Sequence, residues 1–121
     1  KLGAAPPPGV PGLETTLPLL LAAVDAGRLS LEHLVDLLHN APSRIYGLSA
    51  DNGRVTVELE RVLLPEAGYH TRCGWSPFSG RSALGIVREV SLRGTVVFAD
   101  GHVLAAPGTG RNLVATRCSS Y

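Results

Sequence analysis

Residues 6–21 read Pro6-Pro7-Pro8-Gly9-Val10-Pro11-Gly12-Leu13-Glu14-Thr15-Thr16-Leu17-Pro18-Leu19-Leu20-Leu21, and the passage from ring-stiffened loop to leucine-rich run inside them organises the whole chain. Proline has no N–H and a fixed φ, so residues 1–12, with four prolines and three glycines, can be neither helix interior nor central strand. They predict an extended loop with polyproline II character at residues 6–8, and by composition alone a linker reads equally well. Leu13, Leu17, Leu20, Leu21 and Val24 then recur at helical spacing, which predicts a helix over residues 13–26 closed by Gly27. Pro18 marks either the first turn of that helix or a kink in it. The run from Leu17 to Val24 is apolar almost all round, the pattern of a helix covered on more than one side within a larger body.

Outward from this helix the pattern stays helical and then changes. Ser30 is placed to cap a second helix, with Glu32 in its first turn and Leu31, Leu34, Val35 and Leu38 on one apolar stripe. Asn40 is expected to end it. Pro42 is expected to open a short helix through Tyr46, closed by Gly47. Asp51-Asn52-Gly53 signals a turn, after which Val55, Val57 and Leu59 alternate with Thr56 and Glu58. Residues 65–80 are irregular. Residues 84–92 and 95–99 predict strands joined at Arg93-Gly94, and Asp100-Gly101 is a two-residue hairpin signal leading to His102-Val103-Leu104. From Pro107 the text reads as a tail. The chain is therefore helical over residues 13–47 and β-rich over residues 53–104, with a boundary near residues 48–52 and no internal repeat.

Composition narrows the function classes. The 121 residues are 45% apolar and 17% charged, which suits a packed domain or part of one. Eleven basic and ten acidic residues give a net charge of +1, without the clustered Lys and Arg of a nucleic-acid footprint. No apolar run approaches the roughly 20 residues that span a bilayer. Neither nucleic acid nor membrane is an expected partner. Cys73 and Cys118 are too few for a disulfide framework and fit no zinc spacing, so we expect free thiols of a cytoplasmic chain. There is no methionine and the first residue is Lys1, from which we expect a processed chain or a segment of a longer one.

No complete active site can be assembled from these residues. His33 and His39 are six apart on a predicted helix, not the three or four that bring two imidazoles to one metal. Ser76, in Gly74-Trp75-Ser76-Pro77-Phe78, has no nucleophile elbow around it. Cys73 lies three residues from His70, which alone makes no catalytic pair. Gly108-Thr109-Gly110-Arg111-Asn112 lacks the ending of a phosphate loop. Trp75 and Phe78 are expected to anchor an irregular loop onto the β-rich part. We assign no catalytic and no metal-binding residue.

Four segments in order nevertheless resemble one family. Residues 6–21 resemble the PPPG-x-PGLET-x-LPLLL stretch of dihydroorotases, most closely the form found in multifunctional pyrimidine-synthesis polypeptides of animals. Gly27-Arg28-Leu29-Ser30-Leu31, followed by Leu37-Leu38-His39-Asn40-Ala41-Pro42-Ser43-Arg44-Ile45-Tyr46, is similar to the family's EGRLSL and NP-x-RI signatures. Trp75-Ser76-Pro77-Phe78-Ser79-Gly80 is similar to its W-T-P-F-E-G turn, and residues 92–104 are similar to the closing hairpin of amidohydrolases. Residues 66–73 match poorly, and residues 111–121 continue into no recognised linker.

The resemblance implies an α/β fold: the C-terminal part of a (β/α)8 amidohydrolase barrel plus strands of its small β domain. Residues 1–48 would be the substrate loop and closing helices, residues 49–106 the strands of the small β domain, and residues 107–121 a tail. It implies zinc-dependent, reversible cyclisation of N-carbamoyl-L-aspartate to L-dihydroorotate in pyrimidine synthesis. The zinc ligands would lie outside this chain, which alone should be inactive and should expose apolar helix surface. The parent would be a homo-oligomer or part of a multifunctional polypeptide. The resemblance places the backbone at Pro8, with Gly9 beside it, against the substrate carboxylate. A glycine there admits close approach, and a stiff loop loses little entropy on binding. Two other readings stand: a non-enzymatic structural segment of the same fold, and another cyclic amidohydrolase such as an allantoinase or dihydropyrimidinase.

Overall fold

A computed structural model describes residues 9–48 and 53–113. Three α-helices and one π-helical turn precede a four-stranded sheet among the described residues: α1 (Thr16–Asp25), α2 (Leu31–Val35), the π-helical turn (Asp36–Asn40), α3 (Ala41–Tyr46), then β1 (Arg54–Leu63), β2 (Ser82–Leu92), β3 (Thr95–Ala99) and β4 (His102–Val103).

Helix α1 starts three residues later than expected, and the delay settles the role of Pro18. That residue is the third of the helix, where its missing N–H would have found no helical partner, and it is buried rather than kinking anything. Leu13 is left outside the helix and 88% exposed, so it does not belong to the apolar face. The helix ends as its glycine predicts. Gly27 is left-handed at φ +68°, its N–H donates to the Val24 carbonyl (2.9 Å), and Arg28 N–H reaches back to Ala23 (2.9 Å).

Ser30 caps α2, its Oγ accepting the His33 N–H at 3.1 Å. The expected break at Asn40 does not occur. Asn40 keeps helical angles (φ −68°, ψ −48°), and the chain passes through a wider turn in which Ala41 N–H bonds back to Asp36. A proline ring at residue 42 would strike the carbonyl four residues earlier in a regular α-helix. The π-turn takes up that conflict, so helix continues to Gly47, whose φ of +59° closes it.

The strands form an antiparallel meander in the order β1-β2-β3-β4. Both tight hairpins have the left-handed pairs their sequences demand: Arg93 (φ +51°) with Gly94 (φ +79°), and Asp100 (φ +44°) with Gly101 (φ +83°). The alternation expected in β1 is broken by register shifts between Thr56 and Val57 and between Glu58 and Arg61. Val55 and Leu59 are consequently exposed and only Val57 is half-buried on that stretch.

Helix and sheet meet where α1 packs on β2. Gly85 is the reason they can. It sits at φ +104°, and a β-carbon there would stand 2.8 Å from Val57 Cγ1 and 2.9 Å from Leu21 Cδ1. The bare backbone of β2 lets the helix close down. Leu21 and Ala83 are buried around this contact. The expected boundary near residues 48–52 falls mostly on residues 49–52, outside the described residues.

The helical stretch from Leu31 to Tyr46 is not closed in this way. Only Leu34 of its stripe is buried, while Leu31, Val35, Leu38, Ile45 and Tyr46 remain exposed. A contiguous apolar face of this kind marks a surface made to be covered.

Candidate functional site

Polar groups converge where the loop before α1 meets the irregular stretch between β1 and β2. It begins with the carbonyl of Gly12, which accepts the N–H groups of Thr15 (3.1 Å) and Thr16 (2.9 Å) and the hydroxyls of Thr15 (3.2 Å) and Thr16 (2.7 Å). One oxygen thus gathers the entry turn of α1. Thr15 is 1% exposed, its hydroxyl spent inside this turn.

Glu14 faces the other way. Its Oε2 accepts the N–H of His70 at 3.0 Å and its Oε1 the N–H of Thr71 at 2.9 Å, across a sequence gap of 56 and 57 residues. A carboxylate has two acceptor oxygens, and here two consecutive backbone donors occupy them. Partial burial works to raise the Glu14 pKa. The two N–H groups, the His70 side chain and the Thr71 hydroxyl outweigh it, and the carboxyl stays below its ordinary value of 4.5.

The stretch that Glu14 grips has a closed neck. Leu64 N–H donates to the Arg81 carbonyl (3.0 Å) and Gly80 N–H to the Leu64 carbonyl (2.8 Å). Buried Ser76 accepts the Phe78 N–H on its Oγ (3.2 Å), while its carbonyl takes the Ser79 hydroxyl (2.8 Å). Ser76 is therefore a turn-holding residue. Phe78 leans toward the α1 entry, its Cε2 4.0 Å from where a β-carbon on Gly12 would stand, with the Arg81 guanidinium 5.8 Å from its ring centre. The loop is anchored on the helix entry as well as on the sheet. On the sheet side, the His70 ring meets Phe98 edge-on at 6.0 Å.

Gly9 is exposed at φ +115°, a conformation that glycine adopts freely, with nothing within 4 Å of where its β-carbon would be. Pro8 lies outside the described residues. The Cys73 thiol is exposed and free. The Thr71 hydroxyl 3.1 Å away, and more weakly the backbone around residues 73–75, draws its pKa down. Cys118 lies outside the described residues. His102 Nδ1 is 2.9 Å from the Asp100 carbonyl in the hairpin turn, and Arg93 Nη2 reaches the Thr109 carbonyl (3.0 Å) at the start of the expected tail. Among the described residues no three His, Cys, Asp or Glu side chains are grouped to hold a metal ion. No helix among them is long and apolar enough to cross a membrane.

No family model matches the chain. Individual proteins do. The multifunctional protein CAD of Squalus acanthias is 46% identical over 117 residues, covering 95% of this chain and 5% of that protein. The dihydroorotase of Pyrococcus furiosus is 33% identical over 115 residues, covering 88% of the chain and 27% of that enzyme. Among solved structures, the inactive dihydroorotase-like domain of the CAD-like multifunctional protein of Chaetomium thermophilum superposes with a TM-score of 0.65 at 34% identity. It covers 79% of this chain and 28% of that one. The chain is a segment of the dihydroorotase family. Its helices and strands are part of an α/β amidohydrolase fold, and it spans about a quarter or less of the length of these relatives.

Within that dihydroorotase segment, sequence reasoning missed Glu14 and Thr15 as individual residues. Both stand in the PGLET motif that carried the resemblance. The motif is spent on structure: a carbonyl that gathers the helix entry, a carboxylate that ties it to a loop far along the chain, and a buried threonine. Glu14 had no local signal, because its partners are the backbone N–H groups of His70 and Thr71, more than fifty residues away.

Proposed function

We propose that this chain is the substrate-loop and closing segment of a dihydroorotase that reversibly cyclises N-carbamoyl-L-aspartate to L-dihydroorotate. Residues 1–48 supply the loop and closing helices, residues 49–106 strands of the small β domain, and residues 107–121 a tail. Pro8 and Gly9 lie against the substrate carboxylate. The observation that carries this reading is the likeness along nearly the whole chain to dihydroorotases, joined to a Gly9 backbone that is open and left-handed just before a rigid helix entry. The protein works in the cytoplasm, within a multifunctional polypeptide or as a homo-oligomer.

Zinc is the cofactor this reading implies. The described residues group no three His, Cys, Asp or Glu side chains that fit it, and the reading puts its ligands in the rest of the longer protein. This chain's part is to bind and orient: Gly9 stands three residues before the Gly12 carbonyl that gathers the α1 entry, with the φ of Pro11 fixed between them, and a backbone tethered in this way loses little entropy on holding a carboxylate. A second reading has its own support, because the solved neighbour at 34% identity is described as an inactive dihydroorotase-like domain. The segment would then serve a folded, silent domain.

One experiment separates them. Dihydroorotate hydrolysis is measured with zinc supplied, for this chain and for the full-length polypeptide that contains it. Turnover by the long form alone is the expected result. A folded long form that neither hydrolyses nor binds dihydroorotate moves the assignment to the silent domain. Turnover by the 121-residue chain itself would place the chemistry where no donor set has been found.

A further inference from the structure

We propose that Glu14 is a positioning residue for the substrate loop: by clamping the N–H groups of His70 and Thr71 it fixes where Gly9 presents its backbone. The inference rests on the reading of Pro8 and Gly9 as the carboxylate-holding loop and goes beyond it, to the contacts that hold that loop in place.

Gly9 is placed by a short series of constraints. A β-carbon there would meet open space, and its described connection to the rest of the molecule runs through the residues on its C-terminal side. Only Val10 and Pro11 separate it from Gly12, and Pro11 has a fixed φ. Gly12 is locked to the entry of α1 by four donors on its carbonyl. The remaining freedom is the placement of that entry relative to the rest of the molecule. Packing at Gly85 secures the middle of α1, through Leu21. At the entry itself, Glu14 makes the described hydrogen bonds to a distant segment, and it makes two, to adjacent N–H groups, which resist rotation as well as separation. Without them α1 keeps its fold and Gly9 loses its register against the substrate. The consequence is specific. A loop that contacts a spectator carboxylate binds ground state and transition state alike, so loosening it raises KM and leaves kcat in place.

The test uses the full-length protein with Glu14→Gln, Glu14→Ala and Gly9→Ala, measuring KM and kcat for dihydroorotate hydrolysis and amide exchange at His70 and Thr71. Glu14→Gln preserves size but offers one acceptor oxygen for two donors. We expect KM to rise about tenfold with kcat within about twofold, and both amides to exchange faster. KM does not depend on how much of the sample is folded, so it stays readable if a variant folds poorly. If Glu14→Gln and Glu14→Ala lower kcat in step with the folded fraction and leave KM unchanged, Glu14 is only a staple and the proposal fails. Gly9→Ala separates this failure from that of the underlying reading. Raised KM for Gly9→Ala with unchanged KM for Glu14→Gln overturns the clamp alone. Unchanged KM for Gly9→Ala, or a wild-type protein that neither turns over nor binds dihydroorotate, overturns both.

Discussion

Helix α1 and the helical stretch from Leu31 to Tyr46 both carry leucines at helical spacing, yet their apolar faces meet different fates. Helix α1 closes on β2, buries Leu21 and Pro18, and is tied at its entry by Glu14. The later stretch buries Leu34 and leaves Leu31, Val35, Leu38, Ile45 and Tyr46 in contact with solvent. The partner of the first face is in this chain, on β2. The second face has no such cover among the described residues. In a segment that spans 28% of its solved relative, this is the expected division. A helix sequence specifies that a face should be buried, and the rest of the polypeptide decides against which surface.

The sharpest way to break the comparison is to spoil the contact that completes α1. Gly85→Ala would place a methyl group 2.8 Å from Val57 Cγ1 and 2.9 Å from Leu21 Cδ1, at a φ of +104° that suits no side chain. Overpacking costs about 1–3 kcal/mol and the backbone strain a similar amount, so we expect a loss of about 2–5 kcal/mol. Guanidinium unfolding of the protein carrying the change reads it directly. An unshifted midpoint would mean that α1 does not sit on β2 at this distance.

The open face yields the next largest effect, and only in one context. Ile45 is 72% exposed, so Ile45→Ala in the 121-residue chain should change stability by no more than about 0.5 kcal/mol. If the longer protein covers that face, the same change there should cost about 2–4 kcal/mol. Equal effects in the two settings would remove the contrast between the two helical regions.

Much of this architecture is legible in the sequence, and the illegible part obeys a physical rule. The hairpins at Arg93-Gly94 and Asp100-Gly101 and the stops at Gly27 and Gly47 are written in residues that tolerate positive φ, a local property. The continuity of the helix through Asn40 and Pro42 is not legible, because a π-turn answers a proline with backbone geometry that no residue type announces. The failed alternation at Val55 and Leu59 has the same origin, in register shifts set by the partner strand. At the candidate site, the assignment of Gly9 comes from a motif, not from a contact in the structure. Glu14 could not be assigned its task, since its partners are main-chain groups more than fifty residues away.

Within the completed seam, effects become smaller as partners become redundant. Thr15 is 1% exposed, but the Gly12 carbonyl it serves has three other donors. Thr15→Val removes one hydroxyl hydrogen bond and leaves no acceptor orphaned. The expected loss is about 1 kcal/mol, less than the cost of an unsatisfied buried group. A loss of about 3 kcal/mol or more on urea unfolding would show that the hydroxyl holds something besides this turn.

The smallest effect is the titration of Glu14, and its sign is set by the clamp. Partial burial disfavours the charged form, but the His70 and Thr71 N–H groups favour it more, so the folded carboxyl lies below its ordinary 4.5. A depressed folded value means that the unfolded chain binds the proton more readily. The contribution is therefore fully present above the ordinary value, fades as pH falls below about 4.5, and is gone once the folded carboxyl is itself protonated. Solvent reaches this group, which keeps the magnitude modest. Other carboxylates titrate over the same range, so the informative quantity is a difference. Urea midpoints of wild type and Glu14→Gln, tracked from about pH 7 down to about pH 3, should converge at the acid end and separate above it. Curves that stay parallel would mean the charge on Glu14 adds nothing to the two hydrogen bonds, and the clamp at the entry of α1 would then be no firmer than any neutral contact along the sheet.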